Sequence, residues 1–377
     1  MQKKSEAPEA PEVRKENGIG KSIGRLVRAV VFLALALFLI ICSNNVLRQV
    51  KYRLQKGAFP SFYAQEKNSI DIVTIGSSAD YRYIDTPMLY ELFGYTSYNL
   101  ATAQQPTSVT RFIMNEAEKS QSPSLFIVEA REFVHLPESK QETAVYCVSD
   151  SMDLSLNKWL MLCRGYASWE DRLNGFFDIT KYHGFWHDMK GKTLPYWNNR
   201  VKDEKLSWKN NTKVAAINKP ELPSKLDPLP LIEPNEKALI ELLEDCRKKN
   251  REVLFILTPC EYKSDIFPRR AETLRTMVES YGYKLYDMIR DENLDLDYSY
   301  DFYNRSHTNM WGAEKVTRAL GEYIKREYNI DTQHSDAVKA AWDEAALRNR
   351  EEANSLGADF IAEGDENPEI DEEDGEE

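Results

Sequence analysis

The chain has few of the residues that build metal centres and disulfide frameworks. It contains five histidines and five cysteines among 377 residues, and no two cysteines form a CxxC pair. The sequence therefore gives no indication of a zinc ribbon or a thioredoxin-type redox site. The simplest interpretation of the cysteines is that they are free and that some of them are buried. We predict no metal ion and no cofactor for this protein.

Basic residues are absent from the C-terminal end of the chain. The final stretch, EGDENPEIDEEDGEE, is mostly acidic, and the whole chain has a formal net charge of -12. An acidic balance disfavours nucleic-acid binding, because that binding depends on basic side chains that neutralise phosphates. An acidic run also repels itself and buries no core, so we predict a disordered tail at 357–377. The preceding residues, 335–356, have the pattern of a further amphipathic helix.

Small residues in an A-x-A arrangement are lacking after the longest apolar run of the chain. That run, AVVFLALALFLIIC at 29–42, reaches the length of about 20 residues that a bilayer core requires once its apolar flanks are included. Signal peptides that are removed usually have an A-x-A cleavage motif after the apolar run, so the run is not typical of a cleaved signal peptide. The other alternative is a buried core helix. We predict an uncleaved transmembrane anchor at 26–47.

Beyond the anchor, short apolar runs alternate with amphipathic segments. IDIVTI (70–75) and SLFIVEA (124–130) are typical of buried strands, whereas NEKALIELLEDCRKKN (235–250) has the spacing of an amphipathic helix. Buried strands joined by such helices predict an α/β domain at 48–334, with a parallel sheet between two layers of helices. In such sheets the functional sites lie at the carboxyl ends of the strands.

Residues 135–233 interrupt this alternation. They contain five of the seven tryptophans and end in the proline-rich stretch KPELPSKLDPLPLIEP. We interpret the segment as an insertion over the sheet. It is either a lid or substrate-binding wall, or a helical cap that makes no contact with substrate.

A serine and a histidine are predicted to meet at the carboxyl edge of the sheet. Ser78 follows the strand IDIVTI, and a serine hydroxyl needs a positioned base to act as a nucleophile. His307 lies in DFYNRSHTNMWGAEK, between the last strand and the final domain helix, for which Asn309 is a candidate N-cap. We therefore predict Ser78 as nucleophile and His307 as base. The alternative is a turn serine and an unrelated loop histidine.

Other histidines offer weaker sites. His183 and His187 have the spacing of two metal ligands on a helix, but no acidic cluster accompanies them. Packing among the neighbouring aromatic residues is the better interpretation of this pair. His334 lies beyond the last domain helix.

Acyl transfer through a serine also requires hydrogen-bond donors for an oxyanion. Asn99 follows the second short strand, TSYNL, and its amide is one candidate donor. The backbone N–H groups of Ser78 and Ala101 are the other candidates.

These blocks together resemble the SGNH (GDSL-like) hydrolases. In that family a Gly-x-Ser follows the first strand, a Gly or Asn follows the second, and an Asp-x-x-His precedes the last helix. Here GSS, YNLATAQQP and DFYNRSHTN stand at those places, and the agreement runs from about residue 70 to 327 outside the insertion. The resemblance implies a three-layer, flavodoxin-like parallel sheet of the SGNH type, with Ser78 as nucleophile and His307 as base.

The chain is most similar to membrane-anchored bacterial members that modify surface polymers, such as DltD-like and alginate O-acetylation proteins. This similarity implies a cytoplasmic segment at 1–25 and a main domain outside the membrane; the basic residues that flank the anchor give only a weak bias. The implied partners are the lipid bilayer, a surface polysaccharide or acyl ester substrate, and a membrane-bound O-acyltransferase.

The sequence departs from the family pattern beside the histidine. Asn304 stands three residues before His307, where the pattern has Asp, and VEAREF lies roughly where a GxND block would fall. An amide can donate to the imidazole and favour the wrong tautomer, and in the serine proteases this substitution costs about 10⁴ in rate. Asp301 and Glu129 are alternative acids for the histidine.

Two functions follow from this pattern. The first is a membrane-anchored SGNH-type esterase or O-acyltransferase that acts on a cell-surface polysaccharide through acyl-Ser78, with His307 as base. The second is a non-catalytic relative that binds a glycan or a partner membrane protein. The second is motivated by Asn304 and by the aromatic insertion.

Overall fold

The computed structural model describes most of the chain. The described residues are 18–51, 58–135, 141–177, 179–189, 191–201, 208, 210–222, 227–262 and 264–363. Most of the predicted N-terminal segment and most of the predicted acidic tail lie outside these ranges.

Helices and strands alternate through the main domain. The α-helices are α1 (Gly18–Lys51), α2 (Ala58–Tyr63), α3 (Ser78–Tyr81), α4 (Thr86–Phe93), α5 (Thr110–Ala117), α6 (Arg131–Val134), α7 (Gln141–Ser149), α8 (Leu156–Gly165), α9 (Trp169–Phe176), α10 (Ile179–Tyr182), α11 (Glu233–Lys248), α12 (Ile266–Ser280), α13 (Met310–Glu327) and α14 (Asp336–Glu363). The strands are β1 (Ile72–Ile75), β2 (Ser97–Asn99), β3 (Leu125–Glu129), β4 (Val253–Leu257), β5 (Lys284–Asp287), β6 (Phe302–Asn304) and β7 (His307–Thr308). Short 3₁₀ turns lie at Thr107–Val109, His183–Asp188, Gly191–Asn198 and Met288–Arg290.

Five strands form one parallel sheet in the order β2-β1-β3-β4-β5. Val73 of β1 lies opposite Tyr98 on one side and Phe126 on the other, which fixes the register at the centre of the sheet. The same order occurs in flavodoxin, and the chain changes direction across the sheet between β1 and β3. The predicted α/β class and the parallel sheet are confirmed.

Helices cover both faces of this sheet because its strands carry apolar side chains on both sides. Val73 and Phe255 face a layer that includes α5, α11 and α12. Ile72 and Leu254 face a second layer that includes α4 and α13. Polar groups can therefore gather only where the strands end, and the carboxyl ends of β1, β3 and β4 meet at one edge.

The loop between Asp301 and Asn309 brings His307 to that edge. Strands β6 and β7 of the loop pair in antiparallel fashion, and the Asn309 N–H donates to the Asp301 carbonyl at 3.0 Å. The Asn309 side chain accepts a hydrogen bond from the Gly312 N–H at 3.1 Å, which confirms the predicted N-cap of α13. The cap therefore joins the loop to a long helix that buries one face against the sheet.

The predicted insertion has three differently packed parts. Helix α8 packs on α5 of the sheet domain, whereas residues 179–198 pack along α1. Residues 210–222 run in an irregular conformation beside the loop of His307, where the Ala215 N–H donates to the Phe302 carbonyl at 2.7 Å. This third part borders the predicted site.

Helix α1 carries the predicted membrane anchor. An 18-residue stretch within Ser22–Leu47 has a mean hydropathy of 2.7, and this is a helix long and apolar enough to cross a membrane. The span overlaps the predicted anchor at 26–47.

The C-terminal helix is longer than the sequence predicted. A helix was expected at 335–356, but α14 continues to Glu363, so the first residues of the predicted disordered tail are helical. Alanine and glutamate favour helix in this extension. The helix packs on α4, where the rings of Tyr90 and Trp342 lie 5.3 Å apart and the Asn349 amide donates to Asp85 at 2.8 Å.

We expect Gly312→Ala to destabilise the protein. A Cβ atom at Gly312 would overlap the backbone carbonyl oxygen of Asp301, and a backbone atom cannot move aside as a flexible side chain can. Overpacking of this kind costs about 1–3 kcal/mol, measured as the free energy of unfolding of the detergent-solubilised chain in urea.

Gly184→Ala is the matched control for this substitution. No atom lies within 4 Å of a Cβ built at Gly184, so the free energy of unfolding should change by no more than about 0.5 kcal/mol. Equal losses in the two variants would contradict the close approach of α13 to the loop.

Candidate active site

A tight turn after β1 presents Ser78 at the edge of the sheet. The strand ends at Ile75, and the Ser77 side chain caps the short helix α3, which begins at Ser78. Between them, a Cβ atom at Gly76 would lie 2.7 Å from the Cβ of Glu129 and 2.9 Å from the Cβ of Asp80. Only glycine fits at this point, so the turn that precedes the half-buried serine packs closely against the end of β3.

The structure brings Ser78, His307 and Asn304 into one hydrogen-bonded chain. The Ser78 Oγ lies 2.7 Å from the Nε2 of His307. On the other side of the ring, the Nδ1 lies 3.0 Å from the Oδ1 of Asn304. Two residues that are far apart in sequence therefore meet as the sequence predicted, and the residue that orients the histidine is an amide.

The backbone of Ser306 determines which end of the Asn304 amide faces the imidazole. The Ser306 N–H donates to the Asn304 Oδ1 at 2.9 Å, so that atom must be the carbonyl oxygen. The oxygen can only accept, which places a proton on Nδ1 and leaves the lone pair of Nε2 directed at the Ser78 hydroxyl. The concern that the amide would favour the wrong tautomer therefore does not apply to this geometry.

The charge around His307 favours its neutral form. Burial lowers the pKa of His307 well below its usual value, and the positive charges of Arg131 and Arg82 lower it further. An amide oxygen adds no negative charge that would oppose these effects. The ring is therefore unprotonated at neutral pH and available as a proton acceptor, but its imidazolium form is less stabilised than beside a carboxylate.

Aromatic and basic side chains hold the loop of the histidine in place. The rings of His307 and Tyr303 stack with centroids 5.4 Å apart, and the Arg82 guanidinium lies over the Tyr303 ring at 5.1 Å. The Ser306 carbonyl accepts from the Arg131 Nη1 and from the Tyr83 hydroxyl, each at 2.9 Å. Sequence reasoning missed these residues; the available signal was a basic residue directly after a buried strand, in VEAREF.

The two alternative acids have other partners. The Asp301 carboxylate accepts from the Lys315 ammonium at 2.7 Å and from the Asp297 N–H at 2.6 Å. The Glu129 carboxylate accepts from the Thr258 hydroxyl at 3.0 Å and pairs with the Arg131 guanidinium at 3.4 Å. The Nδ1 of the histidine meets Asn304 instead, while Asp301 helps to fix the start of the loop.

Two buried carboxyl groups lie behind the serine. The Asp80 carboxyl accepts a hydrogen bond from the Thr74 hydroxyl at 2.7 Å. The Cβ atoms of Asp80 and Glu129 both lie within 3.0 Å of the position that a Cβ at Gly76 would occupy. Burial raises the pKa of Asp80 to about 8, and the charge of Glu129 contributes to the increase. Burial also raises the pKa of Glu129. Asp80 is therefore mostly protonated at neutral pH.

The predicted oxyanion donors occupy different environments. Asn99 is fully buried; its Nδ2 donates to the Thr74 hydroxyl at 3.0 Å, so the amide is directed into the protein. Ala101 lies beside Gly76, since the Thr102 N–H donates to the Gly76 carbonyl at 3.4 Å. A role for Asn99 would require its amide to turn, and the Ser78 and Ala101 backbone donors stay predictions.

His183, His187 and His334 lie outside this site. The His183 Nδ1 is 3.0 Å from the Thr180 carbonyl, and the rings of His187 and Trp186 are in contact at 3.8 Å. His334 binds Asp71 at 3.0 Å, at the opposite end of β1. Within the described ranges, no group of three or more histidine, cysteine, aspartate or glutamate residues is arranged to hold a metal ion.

No protein-family model matches the chain, and no curated protein matches it. The chemistry of the site is that of a serine beside a neutral, oriented imidazole. Such a pair can transfer the hydroxyl proton to Nε2 as the oxygen attacks an electrophilic carbonyl. A Cys-His-Asn arrangement in the papain-like proteases uses an amide in the same position.

Asn304→Asp should raise the pKa of His307. A carboxylate beside Nδ1 stabilises the imidazolium, and an opposite charge at this distance changes a pKa by about 1 to 3. The pKa is measured by NMR titration of the ring protons, with His307→Gln to identify the signal. Asn304→Ala adds no charge and should not raise the pKa. An unchanged pKa in Asn304→Asp would contradict the contact.

Asp80→Asn should change how stability depends on pH. Because the folded-state pKa of Asp80 is about 8 and the ordinary value is 3.8, the wild type loses stability as the pH rises from about 4 to 8. The amide that replaces the Asp80 carboxyl in the variant does not titrate, so the variant does not lose this stability. The difference in free energy of unfolding, variant minus wild type, should therefore increase by at least about 1.4 kcal/mol as the pH rises from about 4 to 8. Urea denaturation at several pH values measures it, and equal slopes would contradict the raised pKa.

Proposed function

We propose that the protein is a membrane-anchored SGNH-type esterase or O-acyltransferase that acts on a cell-surface polysaccharide. The observation that carries the proposal is the 2.7 Å contact between the Ser78 Oγ and the His307 Nε2. The amide oxygen of Asn304 on the far ring nitrogen supports it, because it favours the tautomer that a general base requires. The resemblance of the three sequence blocks to SGNH hydrolases gives the reaction class.

The reaction would begin with acylation of Ser78. Its Oγ attacks the carbonyl carbon of an acyl ester while its proton moves to the Nε2 of His307. The tetrahedral intermediate then collapses, and the Nε2 proton is transferred to the departing alkoxide. Throughout, the Asn304 oxygen accepts the hydrogen bond from Nδ1–H and holds the ring in place.

Deacylation would use the same groups in reverse. A sugar hydroxyl or a water molecule attacks the acyl carbon, its proton moves to Nε2, and the Ser78 Oγ departs and recovers that proton. A sugar acceptor makes the protein a transferase, and water makes it an esterase. Because the amide is neutral, we expect the acyl-transfer steps to be slower than in a site with a carboxylate.

The cellular setting of the proposal comes from α1. Its apolar length suits a membrane anchor, and the family resemblance favours a cytoplasmic N-terminus with the sheet domain outside. There the domain would meet a surface polysaccharide or an acyl ester donor. A membrane-bound O-acyltransferase would supply acyl groups from the other side of the membrane.

A non-catalytic, glycan-binding protein is the second candidate. The neutral Asn304 amide favours it, since a binding protein needs no stabilised imidazolium. The tight Ser78–His307 contact weighs against it, because binding alone requires neither this tautomer nor this distance.

Acetylation of the serine distinguishes the two functions. The detergent-solubilised chain is incubated with an activated acetyl ester, and the peptide containing Ser78 is analysed by mass spectrometry. We expect an acetyl group on Ser78 in the wild type, none on that peptide in Ser78→Ala, and labelling at least about 100-fold slower in His307→Gln.

Ser122→Ala is the matched control for Ser78→Ala. Ser122 is a serine whose hydroxyl donates to Asn68 on the surface, so its replacement should leave the rate of labelling unchanged. Absence of label in the wild type, together with unchanged ester turnover in Ser78→Ala, would reject the enzymatic function.

A further inference from the structure

Residues 179–198 expose several large apolar side chains. Trp186 is 63% exposed, Leu194 55%, Trp197 49% and Met189 39%. A cluster of exposed apolar side chains of this size usually marks an interaction surface. We call residues 179–198 the aromatic segment.

The aromatic segment is attached to α1. The rings of Phe38 and Trp197 meet edge to face with centroids 6.3 Å apart. The Asn45 Nδ2 donates to the Trp197 carbonyl at 3.0 Å, and the Asn44 Oδ1 accepts from the Ile179 N–H at 2.7 Å. Both asparagines are buried, so these hydrogen bonds are shielded from water and fix the segment against the helix.

The three contacts lie within the candidate span Ser22–Leu47 of α1: Phe38 belongs to the apolar run that ends at Cys42, and the two asparagines follow that run. Phe38 precedes Leu47, the last residue of the candidate span, by nine positions, and an α-helix rises 1.5 Å per residue, so the two are about 13 Å apart along the axis. A bilayer core is about 30 Å thick. If α1 crosses the membrane, the ring of Trp197 therefore lies beside the membrane-spanning part of the helix.

We propose that the aromatic segment is a membrane-interface element whose tryptophan, leucine and methionine side chains enter the lipid beside α1. The inference rests on the membrane anchor of the proposed function. Tryptophan is enriched where a bilayer meets water, since its ring is apolar and its N–H can reach the interface. The surface is also continuous with the apolar side of α1, where Phe38 is 51% exposed.

Charge supports lipid as the occupant of this surface. The stretch ITKYHGFWHDMKGKTLPYWN has three lysines and one aspartate, whereas the chain as a whole has a net charge of -12. Basic residues beside a membrane are attracted to anionic headgroups. By composition, the segment is therefore basic and aromatic within an acidic protein, which fits an anionic lipid surface.

The segment is also joined to the main domain, so its position in lipid fixes the position of the site. Asp150, at the end of α7, binds both the Lys181 ammonium and the Tyr182 hydroxyl. Two attachments, through α1 and through the aromatic segment, prevent the domain from rotating freely about a single helix. The site is thereby held at one height above the membrane, which suits a substrate that lies close to the lipid surface.

Quenching of tryptophan fluorescence by brominated lipid tests the inference. The full chain is placed in phosphatidylcholine vesicles with or without bromine on the acyl chains. We expect bromine-dependent quenching in the wild type, a partial loss of it in Trp186→Phe and in Trp197→Phe, and loss of most of it in the double variant. Trp311→Phe is the matched control: Trp311 packs on Tyr300 at the start of α13, and its replacement should leave the quenching unchanged.

Extraction with alkaline carbonate separates this inference from the anchor on which it rests. If the chain resists extraction but the double variant is quenched like the wild type, the interface element alone is overturned. The side chains of the aromatic segment then face water or another protein. A chain that carbonate releases overturns both the anchor and the interface element. Acetylation of Ser78 is unaffected by either outcome and tests the chemistry separately.

Discussion

The hydrogen bond from the Ser306 N–H to the Asn304 amide oxygen determines what the site can do. Without it, the amide could turn and present its NH₂ group to the imidazole, which would put the lone pair of His307 on the wrong side. With it, the oxygen faces Nδ1 and the base faces Ser78. The imidazole of His307 is thus oriented by a main-chain N–H acting through a neutral amide, and not by a charged side chain.

The rest of the site is consistent with a base that stays neutral. Burial and two guanidinium groups lower the pKa of His307, and the nearby acids are either paired, as Glu129 is with Arg131, or protonated, as Asp80 mostly is. A neutral base needs no counter-charge before the reaction begins. In the proposed acyl transfer, the imidazolium is the species that this environment disfavours, so we expect its formation to limit the rate.

The sheet and the meeting of Ser78 with His307 could be predicted because apolar runs identify strands and the order of strands gives their carboxyl ends. Apolar runs predicted β1 and β3, and the rule that sites lie at the carboxyl ends of parallel strands brought Ser78 and His307 to one edge. The sequence could not show which end of the Asn304 amide faces the His307 ring, because that depends on the Ser306 N–H in the folded loop. The contact of Arg131 with the loop and the inward direction of Asn99 depend on tertiary packing, which has no sequence period.

The role of the insertion at 135–233 also depends on tertiary packing and could not be read from its composition. Its aromatic composition was compatible with a lid, a substrate wall or a cap, because composition does not say which surface an aromatic ring meets. The fold divides it: residues 210–222 border the site, while the aromatic segment packs on α1. Beside an apolar helix, exposed tryptophans have a physical reason to be exposed. The packing of the aromatic segment on α1 therefore favours a surface that contacts lipid, with which its aromatic composition is also compatible.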